Sequence, residues 1–127
     1  MPVISSQKIE FVDIPQNARF KMLFDRAHSG THHIALAQGE LRPGARLFLH
    51  YHEFEEVVFI TEGRGVVVID GVETPVKAGD AILVPSRSVH TMKNAQTESV
   101  IQFISAYASN EVIRFPVEEE PHSASSY

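Results

Sequence analysis

His50-Tyr51-His52 sets two imidazoles at alternate positions of a β-rich run. In an extended strand alternate side chains share a face, so both rings point the same way from backbone positions about 6.6 Å apart. Two such rings can lean onto one ion through bonds of about 2 Å, while Tyr51 faces away. Glu56 has the same parity, but four residues of straight strand would carry it about 13 Å beyond His52. It joins the pair only if the chain reverses within Glu53-Phe54-Glu55 and brings 57–60 back beside 47–52 as a paired strand. His90 lies in Val89-His90-Thr91-Met92, after Val84-Pro85-Ser86-Arg87-Ser88. Pro85 cannot donate to a ladder and fixes φ, so it ends one strand before the next begins. In a closed barrel the later strand can lie opposite the first histidine pair. Imidazole with carboxylate is a donor set for Fe, Mn, Co, Ni, Cu or Zn.

The elements that must position these groups are short strands. Turn signals recur at Ser29-Gly30, Arg42-Pro43-Gly44, Glu62-Gly63-Arg64-Gly65, Asp70-Gly71, Ala78-Gly79-Asp80 and Pro85-Ser86. Between them lie β-rich runs at 33–41, 45–52, 57–61, 66–69, 81–84 and 99–106, a spacing that predicts a sandwich or barrel. Apolar residues never sustain the i, i+3, i+4, i+7 pattern, so little helix is expected. The clearest local signal is Asp70-Gly71 between two valine-rich runs, because Asp-Gly supplies the positive φ angles of a two-residue hairpin. The first thirty residues predict one or two strands with irregular joins. The segment 117–127, including His122, lacks apolar anchors and is expected to be frayed.

The chain has 127 residues, a net charge of −5, seven histidines and no cysteine. That length suits one domain, placed at 1–116, without staples. The absence of cysteine removes disulfides, thiolate nucleophiles, iron–sulfur clusters and Cys-type zinc sites. The mild acidic balance offers no attraction to nucleic acid or anionic lipid. No run approaches the ~20 apolar residues of a membrane span, and the first residues lack a signal-peptide core. The expectation is a cytoplasmic protein with a small-molecule partner, not nucleic acid or membrane. No Gly-x-Ser-x-Gly elbow and no phosphate-binding Gly-rich loop ending in Lys-Ser or Lys-Thr appears.

Gly44-(five residues)-His50-Tyr51-His52-(three residues)-Glu56-(six residues)-Gly63 resembles the first motif of the cupins. Gly79-(five residues)-Pro85-Ser86-Arg87-(two residues)-His90-(three residues)-Asn94 resembles the second, so motif 1 spans 44–63 and motif 2 spans 79–94. The resemblance implies an all-β double-stranded β-helix, the jelly-roll barrel. It also implies one divalent transition-metal ion on His50, His52, Glu56 and His90, and a homodimer. Arg87 stands where the family has glycine, so the turn there must suit a residue with a Cβ.

Phe48, Phe54, Met92 and Arg87 are the pocket candidates. The first three can wall a cavity over an ion or simply pack the core. Arg87 can hold a substrate carboxylate or remain a solvated loop residue. His28, His32 and His33 read as solvated loop or strand-start residues, since adjacent strand residues face opposite ways. Glu53, Glu55 and Glu62 read as a solvated face, and Asn94 as a turn residue bonding local backbone. Runs 66–69 and 100–104 read as core strands.

An ion held by three imidazoles and one carboxylate keeps positions for substrate and dioxygen, or polarises a substrate oxygen. The leading expectation is therefore a metal-dependent, dioxygenase-like oxidoreductase acting on a small oxygenated compound. The alternatives are an isomerase, lyase or decarboxylase on the same ion, and a non-catalytic ligand- or metal-binding module.

Overall fold

The Asp70-Gly71 turn forms as its chemistry requires. Asp70 and Gly71 take φ values of 49° and 82°, and Ile69 pairs with Val72 directly across them. The computed structural model describes residues 3–118, so the expectation for the tail from residue 119 onward, His122 included, lies outside the described residues. The strands are β1 (Val12–Ile14), β2 (Ala18–Phe24), β3 (Ala35–Leu41), β4 (His50–Tyr51), β5 (Glu56–Glu62) and β6 (Arg64–Ile69). They continue with β7 (Val72–Lys77), β8 (Ala81–Val84), β9 (His90–Lys93), β10 (Ile101–Tyr107) and β11 (Phe115–Pro116). Among the described residues helix is confined to a 3-10 turn at Ser6–Lys8 and one turn of α-helix, α1 (Arg26–Ser29).

All pairings are antiparallel and make two sheets, ordered β1-β2-β3-β10-β5-β8 and β11-β4-β9-β6-β7. Period-2 alternation decides which side chains lie between them. On β5, Glu56, Val58 and Ile60 point inward and Val57 and Phe59 outward; on β10, Ile101, Phe103, Ser105 and Tyr107 are buried. Leu41, Ile60 and Ile101 fill one end of the interior and lose all exposure. The polar residues His50, Glu56 and His90 enter from β4, β5 and β9 at the other end. Gly63 closes the first motif at φ 84°, where a Cβ would fall 2.3 Å from the Val100 carbonyl oxygen.

Three expectations need correction. Residues 45–52 do not form one continuous strand; only His50–Tyr51 does. The preceding segment still follows β9, through Leu47 N–H to the Met92 carbonyl at 3.1 Å and Asn94 N–H to the Ala45 carbonyl at 2.8 Å. Next, Glu53-Phe54-Glu55 does not fold 57–60 back onto 47–52. The chain crosses between sheets there, so β5 pairs with β10 and β8 and faces β4 across the interior. Finally, β9 lies beside β4, with His50 opposite His90 in register, and not across the barrel from it.

The C-terminal segment reaches further than expected. Phe115 and Pro116 pair with Tyr51 and His50, the Phe115 and Tyr51 rings stack at 5.1 Å, and Val117 N–H bonds the Leu49 carbonyl at 2.9 Å. His28 also departs from its reading as loop or strand start. It sits on α1, whose cap Asp25 accepts from the His28 N–H at 2.8 Å, and like His32 and His33 it is exposed.

Candidate metal centre

Pairing of β4 with β9 sets the His50 and His90 rings 4.2 Å apart, centroid to centroid. His52, one residue past β4, stands 5.0 Å from His50 and 5.2 Å from His90. One ring nitrogen from each of the three lies within 4.8 Å of the others. From the facing sheet Glu56 brings Oε1 to 3.2 Å from His52 Nε2 and 3.4 Å from His90 Nε2. All four residues are buried.

The outer nitrogens determine what the inner ones can do. His50 Nδ1 meets the Phe48 carbonyl at 2.8 Å, His52 Nδ1 the Ile113 carbonyl at 2.8 Å, and His90 Nδ1 the Ser88 carbonyl at 2.9 Å. A carbonyl oxygen only accepts, so each Nδ1 carries the proton and each neutral ring keeps its lone pair on Nε2. Metal-ligating histidines are oriented in this way. His52 Nε2 and Glu56 Oε1 are both buried without a hydrogen-bond partner. Lone pairs and a carboxylate thus converge with nothing positive between them, a costly arrangement in a dry site. A divalent cation satisfies all of them, and the residues fit one.

A proton can partly stand in for that cation. Burial pushes the Glu56 carboxyl up, but a proton held between it and His52 or His90 supplies the hydrogen bond and charge that outweigh burial, leaving the group at about 2. His50 is held down to about 3, by burial first and then by His90, against the Phe48 carbonyl bond that raises it. Its folded value thus lies below the unfolded one, and the unfolded chain binds the proton more readily. The stability it contributes is complete above pH 6.5 and is lost as pH falls toward 3. Chelator-treated protein should therefore show a lower urea midpoint at pH 5 than at pH 7.5; an unchanged midpoint counts against a neutral buried His50.

The turn before β9 locks the histidines together. Ser88 N–H bonds the Pro85 carbonyl at 3.1 Å, and Arg87 N–H bonds the His52 carbonyl at 2.7 Å. Arg87 takes φ 67°, so the turn keeps the left-handed position that glycine favours and Arg87 occupies it. Its exposed guanidinium pairs with Glu53 at 2.8 Å, away from the interior, which removes it as a pocket residue. Arg87→Gly relieves strain of about 1–2 kcal/mol but loses an exposed ion pair and gains chain entropy, so stability should change by less than about 1 kcal/mol. Arg87→Val, β-branched at positive φ, should lower it by about 2 kcal/mol. Equal urea midpoints for the two variants contradict this account.

Beside the histidines lies a narrow cavity of about 30 Å³ lined by His50, Glu56, His90, Met92, Tyr107 and Arg114 among aliphatic and aromatic side chains. Met92 is among the side chains that line it and also packs in the hydrophobic core. Phe54 instead stacks on the outer side of His52, 5.0 Å away, and packs with Ala35, Ala37 and Tyr107. Phe48 lies 5.3 Å from the His50 ring and supplies the carbonyl that orients it. Neither lines the cavity.

Tyr107 and Arg114 were not singled out from the sequence. Tyr107 ends β10 fully inside, and burial, followed by the Glu56 charge, raises its phenol above the ordinary range and keeps it protonated. Arg114 precedes β11, and its guanidinium lies 5.0 Å from the centre of the Phe20 ring. Asn94, expected to bond local backbone, donates to the Ser99 carbonyl at 2.8 Å and also to Leu41 and Arg42 at 3.1 and 3.2 Å.

Comparison with known proteins places this geometry among relatives. Residues 26–107 match the family model described as cupin domain. Protein SchB of Streptomyces halstedii is 31% identical over 91 residues, 68% of this chain and 66% of SchB. The oxalate-binding protein of Thermotoga maritima is 39% identical over 59 residues, 46% of this chain and 49% of that protein. The chain spans between 38% and 66% of the lengths of the first three curated relatives it matches. The polyketide cyclase RemF from Streptomyces resistomycificus superposes with a TM-score of 0.80 at 18% identity, covering 95% of this chain and 88% of RemF, a likeness of fold.

Proposed function

This chain belongs to the cupin family, and from that premise we propose that it is a metal-dependent enzyme acting on a small oxygenated substrate. His50, His52, His90 and Glu56 would hold one divalent transition-metal ion. The observation that carries the reading is the set of three Nδ1–carbonyl contacts, which leaves three inward lone pairs facing the unpartnered Glu56 oxygen. The ion, when bound, supplies Lewis-acid polarisation of substrate oxygens and, if redox-active, electrons for oxygen chemistry. The chain's own residues do the rest. Phe20, Val58, Val67, Ile82, Val84 and Phe103 exclude bulk water from the cavity. The protonated Tyr107 phenol offers a hydrogen-bond donor at that cavity, and Arg114 offers a fixed positive charge.

The leading reaction class is a dioxygenase-like oxidation. A second reading, oxygen-independent lyase, isomerase or decarboxylase chemistry, is favoured by the hydrogen-bond donor Tyr107 and the cation Arg114. Relatives point the same way: the dimethylsulfoniopropionate lyase DddW of Ruegeria pomeroyi is 32% identical over 72 residues, 57% of this chain and 47% of DddW. Protein loaded with iron, manganese, nickel or copper and offered chelating hydroxy and keto acids separates them. Oxygen uptake coupled to turnover supports the first, and undiminished anaerobic turnover supports the second. Full ion occupancy without turnover of any kind leaves only a binding module.

The proposal includes one domain over residues 1–116 and a cytoplasmic setting; among the described residues no helix is long and apolar enough to cross a membrane. It also includes a homodimer, supported by exposed Val57, Phe59 and Leu83 on the outer face of β5 and β8.

A further inference from the structure

We propose that Arg114 is the anion-recognising residue of this centre, and that it selects a small chelating dianion whose charge away from the ion lies against the guanidinium. The proposal rests on the metal reading above.

Among the described residues lining the cavity, Arg114 supplies the one formal cation, and His50, Glu56 and His90 lie there too. Its guanidinium makes a polar contact with the Tyr107 phenol, and no carboxylate among the described residues forms an ion pair with it. Its guanidinium is instead laid against the Phe20 ring, 5.0 Å from the centroid. An aromatic face steadies an arginine through its flat side, and with one of five N–H donors turned to Tyr107 the others remain for a ligand. The guanidinium fork matches a carboxylate bidentately, and this is the geometry in which arginine discriminates.

Backbone ties make the placement reproducible. The carbonyl before Arg114 is the one that accepts from His52 Nδ1, and two residues after it Pro116 pairs with His50. Arg114 is therefore indexed to two of the candidate ligands through their own neighbours, not carried on a free tail.

Charge states what the cavity demands. Three neutral imidazoles and one carboxylate leave a divalent ion with one positive charge, and Arg114 adds a second between largely apolar walls. Arg114 is half-buried, and unneutralised charge beside apolar walls is costly, so an anion carrying two charges is the ligand that neutralises the centre. Size limits that anion. A cavity of about 30 Å³ has room for about two waters.

The test uses the full chain loaded with Co²⁺, titrated calorimetrically with oxalate, a chelating dianion, and with azide, a monodentate monoanion, while the cobalt absorption bands are recorded. Arg114→Gln should weaken oxalate binding by about 10- to 100-fold, the contribution of one charged hydrogen-bonded pair. Azide affinity and the cobalt bands should stay as in the unaltered protein, and Arg114→Lys should recover part of the oxalate affinity. Equal oxalate affinity in Arg114→Gln overturns the proposal, as does an unaltered protein that takes up cobalt but not oxalate. A parallel loss of azide or of cobalt also overturns it, and assigns Arg114 to positioning the histidines. If the unaltered protein takes up no cobalt, the metal reading itself fails and this inference falls with it.

Discussion

Glu56→Gln is expected to move two quantities in opposite directions. At pH 8, where ordinary imidazoles are neutral, the metal-free variant should be more stable than the unaltered chain by about 1 to 3 kcal/mol. The Glu56 oxygen lies 3.2 Å from His52 Nε2 and 3.4 Å from His90 Nε2, both turned toward it as acceptors. An amide in its place donates to one of those lone pairs and removes a buried negative charge. Metal affinity should move the other way and fall by about 100-fold or more, since losing even an outer partner of a ligand costs 10- to 100-fold. Urea unfolding in chelator and competitive cobalt titration measure the two separately. A variant that is destabilised without metal would show that the carboxylate is a structural ion-pair partner, not a ligand in waiting.

Asn94→Asp is expected to be the most damaging single-atom exchange outside the centre. Asn94 is 1% exposed; its amide nitrogen serves the carbonyls of Leu41, Arg42 and Ser99, and its oxygen accepts from Gln96. An aspartate sets an acceptor against three acceptors and buries a charge. The loss should reach about 3 kcal/mol or more, lowering Tm by roughly 10 °C or more in a chain of this size. Asn94→Ala should cost less at neutral pH, because it removes the partner without adding repulsion. Thermal unfolding followed by circular dichroism decides the order. An aspartate variant as stable as the parent means that these carbonyls are satisfied by other donors.

What could be read from residues alone follows the range of the forces involved. The Asp70-Gly71 hairpin was legible because two neighbouring residues carry its backbone requirement, and β8 because Asp80 and Pro85 bound it. Parity was enough to bring His50 and His52 onto one face. The route by which Glu56 joins them was not legible, because strand pairing and sheet crossing are alternative answers to the same apolar pattern. The choice is made by β10, which occupies the edge of β5. Residues 45–49 look like strand yet pair with β9 only at an isolated bridge and scattered bonds to Met92 and Asn94, while the Leu49 carbonyl goes to Val117. Ile113 and Arg114 escaped notice for a related reason. One carbonyl and one guanidinium leave no periodic trace, and their importance arises only when β11 pairs with β4.

The Arg87 turn shows the same logic at a single residue. Glycine is the expected occupant because φ there is 67°. An arginine tolerates it because Ser88 and Arg87 amides both find carbonyls, one of them on His52. The strain therefore sits in the loop that sets the spacing of His52 and His90.

Anomalous diffraction from crystals of Co²⁺-loaded protein tests the central claim most directly. The account predicts one strong peak about 2.0–2.2 Å from Nε2 of His50, His52 and His90 and from a Glu56 oxygen. A peak elsewhere, or fully soaked crystals with no peak among these four side chains, would contradict it.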